Sequence, residues 1–210
     1  MFATLSSSSL LSAWLSGTAT GLGLFMVVGA QSAYIIKQGI MRAHLGSILA
    51  VCAATDLVMI FCSVLGLQAL VSWMPGLTEI IRWSGVLFLA WYGLRSGLRA
   101  WRPAAETGVA GKTHYGRGAA IAGAFGFTLL NPHFWLDIMV VGSLAQSFTD
   151  ARYAFALGAT TASLVWLALL GCGARLLAPV FSNPRAWRLL DGVIAIIMWT
   201  LAITLSMRHL

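Results

Sequence analysis

Six apolar runs, each about long enough to cross a lipid bilayer, follow one another along this 210-residue chain, at roughly 20 residues per helical crossing. They run from about Leu10 to Ile36, Leu45 to Trp73, Ile80 to Trp101, Ala119 to Phe148, Tyr153 to Ala178 and Leu189 to Met207. Hydrophobic residues make up 59% of the chain and charged ones 9%, against about a quarter charged in soluble domains. So few charges cannot cover a soluble surface of this size, and the excess apolar surface must face lipid. The expected fold is therefore an all-α membrane protein of about six transmembrane helices. Residues 1–102 and 119–210 form two three-helix parts of one membrane domain, joined by a polar loop over 103–118 that carries Glu106, Lys112, His114 and Arg117.

The net charge of +7 does not indicate a nucleic-acid partner, because the basic residues flank apolar runs instead of covering one exposed face. One side collects Lys37, Arg42, Arg95, Arg99, Arg102, Lys112, Arg117, Arg175, Arg185 and Arg188, and the other only Arg82, Arg152 and Arg208. Basic loops mark the cytoplasm, so both termini are expected on the periplasmic side. If the uncharged first run did not span, five crossings and a cytoplasmic N-terminus would follow. Met1 to Gly29 carries no charge, so a cleaved signal peptide is not expected. Cys52, Cys62 and Cys172 all fall inside apolar runs and read as buried thiols, neither a disulfide framework nor a metal cluster.

The second and fifth runs superpose at a shift of 107 residues, with Asp56-Leu57-Val58 on Ser163-Leu164-Val165, Gly66 on Gly173 and Leu70 on Leu177. The third and sixth share Gly85-Val86 with Trp91 and Gly192-Val193 with Trp199. The first and fourth match Gly29-Ala30-Gln31 with Asn131-Pro132-His133. Each half has an odd number of spans, so the second half is inverted relative to the first. That is the plan of many secondary transporters, whose sites lie where the repeats meet.

Asp56 lies about 11 residues into its run, about 17 Å of helix and so near the bilayer midplane. A carboxylate there costs about 2.5–3.5 kcal/mol on insertion scales, and is expected to face a cavity or a cation. A structural acid held by Thr55, Ser163 or backbone is the plainer reading, but an uncharged amide would serve that purpose at lower cost. Asp137 follows Asn131-Pro132, where proline removes a backbone donor and breaks the helix, a feature tolerated at membrane depth beside a cavity. It would be unremarkable if it sat at the outer interface. His133 shares a helical face with Asp137; without supporting Cys or Glu it reads as a polar lining residue and not as half of a zinc site. Gln31 and Ser32 could meet an amino acid's charged ends, or act as interhelical glue. Gly17, Gly21 and Gly23 are expected at close helix contacts, Trp135 beside the cavity, and Arg95 and Arg99 at lipid headgroups. Glu79, Arg188 and Asp191 lie near span ends, where charge is cheap, and are assigned nothing.

With these residues in view, the chain resembles the lysine/arginine exporters of the LysE/ArgO type. The resemblance rests on Gly29-Ala30-Gln31-Ser32-Ala33, Lys37-Gln38-Gly39-Ile40, Cys52 to Asp56, Trp91-Tyr92-Gly93, Asn131-Pro132-His133 with Leu136-Asp137, and Gly173 to Pro179, in order over nearly the whole chain. It implies a bacterial inner-membrane exporter of arginine, lysine or both, driven by the proton gradient or membrane potential. Asp56 and Asp137 then stand as the family's intramembrane carboxylates and Asn131-Pro132 as its broken-helix motif. Ser32 replaces an asparagine common in the family, and Phe134-Trp135 replace residues that are often smaller, which bears on substrate choice.

The site expected from all this comprises Asp56, Asp137, Gln31, Asn131, Pro132, His133, Ser32 and Ser163, with a basic amino acid and protons as partners and no cofactor. Export of neutral amino acids of the homoserine/threonine kind, or of a metal cation, is the nearest alternative. An enzyme is not expected, since no nucleophile-plus-base set or phosphate-binding glycine loop is present. A purely structural subunit would leave the buried acids without a purpose. Six short helices make a thin shell around a cavity, which allows a homodimer.

Overall fold

The computed structural model describes residues 7–27, 29–42, 44–67, 75–101, 116–177, 179 and 184–207. Every element among them is helical: α1 (Ser7–Phe25), α2 (Ala30–Ile40), α3 (Leu45–Cys62, prolonged by a π turn over Ser63–Leu67), α4 (Pro75–Trp101), α5 (Arg117–Leu129), α6 (Pro132–Gln146), α7 (Arg152–Leu177, preceded by a 3-10 turn at Thr149–Ala151) and α8 (Pro184–Met207). The polar loop lies almost wholly outside the described residues.

Three stretches are long and apolar enough to cross a membrane: Leu45–Gly66, Thr149–Leu177 and Arg185–Met207. The number rises to five if α1 with α2, bent by 78°, and α5 with α6, bent by 58°, each count as one span. This is a multi-pass membrane protein. The remaining expected crossing, α4, has 27 residues, but Glu79, Arg82, Arg95 and Arg99 lower its hydropathy. α4 is not among the helices that are long and apolar enough to cross, and it packs along α8. It begins at Pro75, ahead of the apolar run that opens at Ile80. Proline suits a first helical position, where its missing N–H would have had no partner.

Close contacts fix the relative directions of the helices. Gly17 faces Phe155, Gly21 faces Ala159 and Gly39 faces Ala174, so the bent α1–α2 segment follows α7 in the same sense. Asp56 meets Ser163 and Gly171 meets Leu49, so α3 runs antiparallel to α7. Gly93 lies on Trp199 and Gly97 on Ala195, which makes α4 and α8 antiparallel. Cys52 with Thr128, Ser63 with Gly142 and Val64 with Gln146 align α3 with α5 and α6. The ends at Ile40, Leu45, Trp101, Arg117, Leu177 and Pro184 therefore share one side of the bundle, the side rich in Lys and Arg.

Glycine permits the closest of these approaches. A Cβ on Gly17 would stand 2.0 Å from the Phe155 carbonyl oxygen, and one on Gly158 would stand 2.0 Å from that of Trp14. Thr18 Oγ1 donates to the carbonyls of Trp14 and Gly158 at 2.9 and 3.2 Å, across the same contact. Gly23 has open space around it and takes no part, contrary to expectation. On the basic side, Phe127 of α5 stacks on Tyr34 of α2 at 4.6 Å and takes the edges of Tyr92 and Phe88 of α4, at 4.5 and 4.8 Å. These rings dock the α4–α8 pair onto the rest. Cys52 is buried as expected, whereas Cys62 and Cys172 are exposed on the helix surface. The reason is position: the latter two face outward on helices whose outer face is itself apolar.

Candidate functional site

Both broken spans change direction beside one cavity. The first turns between Phe25 and Ala30, and the second between Leu129 and Pro132. Where the sequence shows one apolar run from Leu10 to Ile36, the structure has a sharp break, at the same Gly29 that is matched to Asn131. The two residues face each other: a Cβ on Gly29 would lie 3.9 Å from Asn131 Nδ2. The cavity leaves about 50 Å³ of free space, room for a few water molecules, and is partly open to its surroundings.

Its lining brings together Gln31, Ser32, Asp56, Asn131, His133, Asp137 and Ser163, seven of the eight residues expected from sequence. The eighth, Pro132, opens α6; its side chain is outside the described set. Asp56 is only 8% exposed, and Ser163 Oγ donates to its Oδ2 at 2.5 Å. Its Oδ1 is buried without a hydrogen-bond partner among the described residues, with the Gln31 side chain beside the carboxylate. Thr55, the other proposed partner, instead donates to the Val51 carbonyl of its own helix at 2.8 Å. Asp137 is half-buried, one turn along α6 from the exposed His133, which faces it electrostatically.

The proline break is built locally. Asn131 adopts an extended conformation and its side chain accepts from the His133 N–H at 3.1 Å, capping α6. Trp135 was expected to border the cavity; its indole N–H instead donates to the Leu129 carbonyl at 2.7 Å, bracing the break from outside. That bond takes up a carbonyl that the broken ladder leaves without a helical donor. The sequence reading missed Trp166, Leu167 and Leu170, which line the cavity with Ser163. Their spacing of three, four and seven residues from Ser163 marks one face of α7 and was a usable signal. Trp166 Nε1 is buried with no partner among the described residues.

A second polar cluster lies nearer the basic side. Lys37 of α2 forms a buried ion pair with Asp191 of α8, and Arg99 of α4 approaches the same carboxylate at 3.3 and 3.4 Å. Arg99 also donates to Ser96 at 2.7 Å. This corrects the expectation that Arg99 meets lipid headgroups, and Asp191, unassigned from the sequence, is the counter-charge that Lys37 and Arg99 share. The three charges lie far apart in sequence and join only because α4 and α8 pack against the end of α2.

Broken helices meeting at a polar, carboxylate-bearing cavity inside an apolar bundle define the general form of a membrane transporter for small solutes. The chain belongs to the LysE type translocator family, whose model matches residues 22–209. It is 34% identical over 203 residues to the arginine exporter protein ArgO of Yersinia enterocolitica, covering 96% of this chain and 99% of that protein. It is 35% identical over 198 residues to ArgO of Pectobacterium carotovorum, covering 93% and 97%. A Mycobacterium tuberculosis protein, provisionally named as an amino-acid transporter, is 36% identical over 185 residues, covering 86% and 90%. No solved structure matches the chain.

Proposed function

We propose that this protein exports basic amino acids, arginine and/or lysine, from the bacterial cytoplasm across the inner membrane. The observation that carries this reading is the placement of two carboxylates, Asp56 and Asp137, on one cavity inside the apolar bundle. Anions at that depth are costly unless a cation or water shares the site. The names of the ArgO relatives support arginine as the cation, in preference to a metal ion or a neutral amino acid.

In this mechanism the substrate's side-chain cation pairs with Asp56, whose buried Oδ1 has no hydrogen-bond partner among the described residues. Asp137 is a second anionic station, and Gln31, Ser32, Asn131, His133 and Ser163 supply the polar lining. Two inverted three-helix halves rock against each other to expose the site alternately to the two sides, with both termini periplasmic. Protonation of an aspartate on the outer side releases the cation, giving amino acid/proton antiport.

Efflux from cells preloaded with arginine- or lysine-containing dipeptides tests the reading, with wild type, Asp56→Asn and empty vector compared. Rapid efflux of one or both basic amino acids, lost in the variant, is the expected result. No efflux above the empty vector, with the protein present in the membrane, would direct attention to neutral solutes or metal cations. Wild-type export rates from Asp56→Asn would sink the mechanism while leaving the substrate intact.

A further inference from the structure

Two half-helices, α2 and α6, begin at the cavity, and their N-terminal donors differ. In α6 every donor of the first turn is accounted for. Pro132 has no N–H, the His133 N–H goes to the Asn131 side chain at 3.1 Å, and the Phe134 N–H goes to the Asn131 carbonyl at 3.1 Å. In α2 the capping position is Gly29, which has no side chain to offer, and no side-chain cap is made. The first bond of that helix runs from the Ala33 N–H to the Gly29 carbonyl at 3.0 Å. The N–H groups of Ala30, Gln31 and Ser32 precede it and have no partner among the described residues. Gly29, Gln31 and Ser32 all line the cavity.

An open helix N-terminus attracts negative charge through its free N–H groups and its dipole. The same cavity holds Asp56, more than nine-tenths buried and with Oδ1 unpartnered, which calls for a positive group. A ligand that satisfies both must carry an anion and a cation a few bonds apart. Asn131 Nδ2, itself a donor, faces the same point, 3.9 Å from a Cβ placed on Gly29. We infer that the N-terminus of α2, through the N–H groups of Ala30, Gln31 and Ser32, is the seat of the substrate's α-carboxylate, so that the protein selects amino acids over simple organic cations. The assignment rests on the exporter reading above and adds to it the part of the substrate that the aspartates do not recognise. It also gives the two halves different tasks, because the proline and asparagine of α6 close the equivalent position there.

The test uses full-length protein in proteoliposomes, with labelled L-arginine as substrate and three unlabelled competitors: L-arginine, L-argininamide and agmatine. The last two keep the guanidinium but lack the carboxylate. Both are expected to compete about tenfold or more weakly than arginine, the loss that follows from forfeiting charge-assisted hydrogen bonds. Gly29→Ala supplies a second measurement. Its backbone, at φ −111° and ψ −162°, accepts alanine without strain, and the methyl group fills the space in front of the donors. The variant is expected to narrow the preference for arginine over agmatine, a ratio that a general loss of fold would not change. Equal competition by agmatine and arginine would overturn the inference and leave the exporter reading standing; the α2 dipole would then serve only the charge of Asp56. Failure of both labelled L-arginine and labelled L-lysine to be transported would overturn both.

Discussion

Ser163 donates a hydrogen bond to Asp56 across the crossing of α3 and α7, and the two residues stand 107 positions apart, the shift that superposes the halves of the sequence. Gly93 likewise meets Trp199, the neighbour of its shift-matched partner Thr200, and Gly29 faces Asn131.

Asp56→Asn is expected to abolish export of arginine, and Ser163→Ala to reduce it only several-fold. The first removes the buried anion, while the second removes one donor from its Oδ2 and leaves the anion in place. A hydrogen bond to a charged group is worth about 1.5–3 kcal/mol, which sets the ceiling for the serine. Initial rates in everted vesicles distinguish the two; equal losses would mean that the serine itself binds substrate.

Arginine is expected to raise the thermal unfolding temperature of the purified protein, because a ligand bound only by the folded state stabilises it, by about 2.7 kcal/mol at one hundred times Kd. The shift should vanish in Asp56→Asn and shrink in Asp137→Asn. A full shift in both variants would place the binding site elsewhere.

Asp191→Asn is expected to destabilise the protein more than Lys37→Met. The first leaves Lys37 and Arg99 in the bundle without their shared counter-charge; the second leaves Asp191 with Arg99. Removing one partner of a buried pair costs about 3–5 kcal/mol, and the arginine's partial exposure moderates the lysine variant. Thermal melting in detergent provides the comparison, and the reverse order would show that Arg99 does not hold the carboxylate.

Gly17→Ala is expected to cost about 1–3 kcal/mol by overpacking, since its methyl would enter the Phe155 carbonyl. Gly23→Ala, in open space, should be neutral or slightly stabilising because alanine is the better helix former. A matched pair of melting curves decides; similar effects at both sites would contradict the α1–α7 contact.

Much of the site was legible because charge in an apolar run is expensive and therefore informative. Asp56, Asp137 and the Asn131-Pro132 break each departed from their surroundings, and the matched motif Gly29 to Gln31 drew attention to its partner. Trp166, Leu167 and Leu170 were not seen because apolar side chains look the same whether they face lipid or a cavity. The same ambiguity misjudged Cys62, Cys172 and Gly23, whose orientation depends on which face of a helix finds a neighbour.

The sequence by itself determined the all-helical membrane class, the positions of the apolar runs and the residues that could not be there without a purpose. All of these follow from the transfer cost of charge and backbone into lipid, a local property of each segment. Only the tertiary structure decided that Ser163, not Thr55, holds Asp56, that Lys37, Asp191 and Arg99 form one cluster, and that α2 starts uncapped beside the buried carboxylate. Those outcomes depend on which residues distant in sequence the helix crossings bring within a few ångströms, and no single segment carries that information.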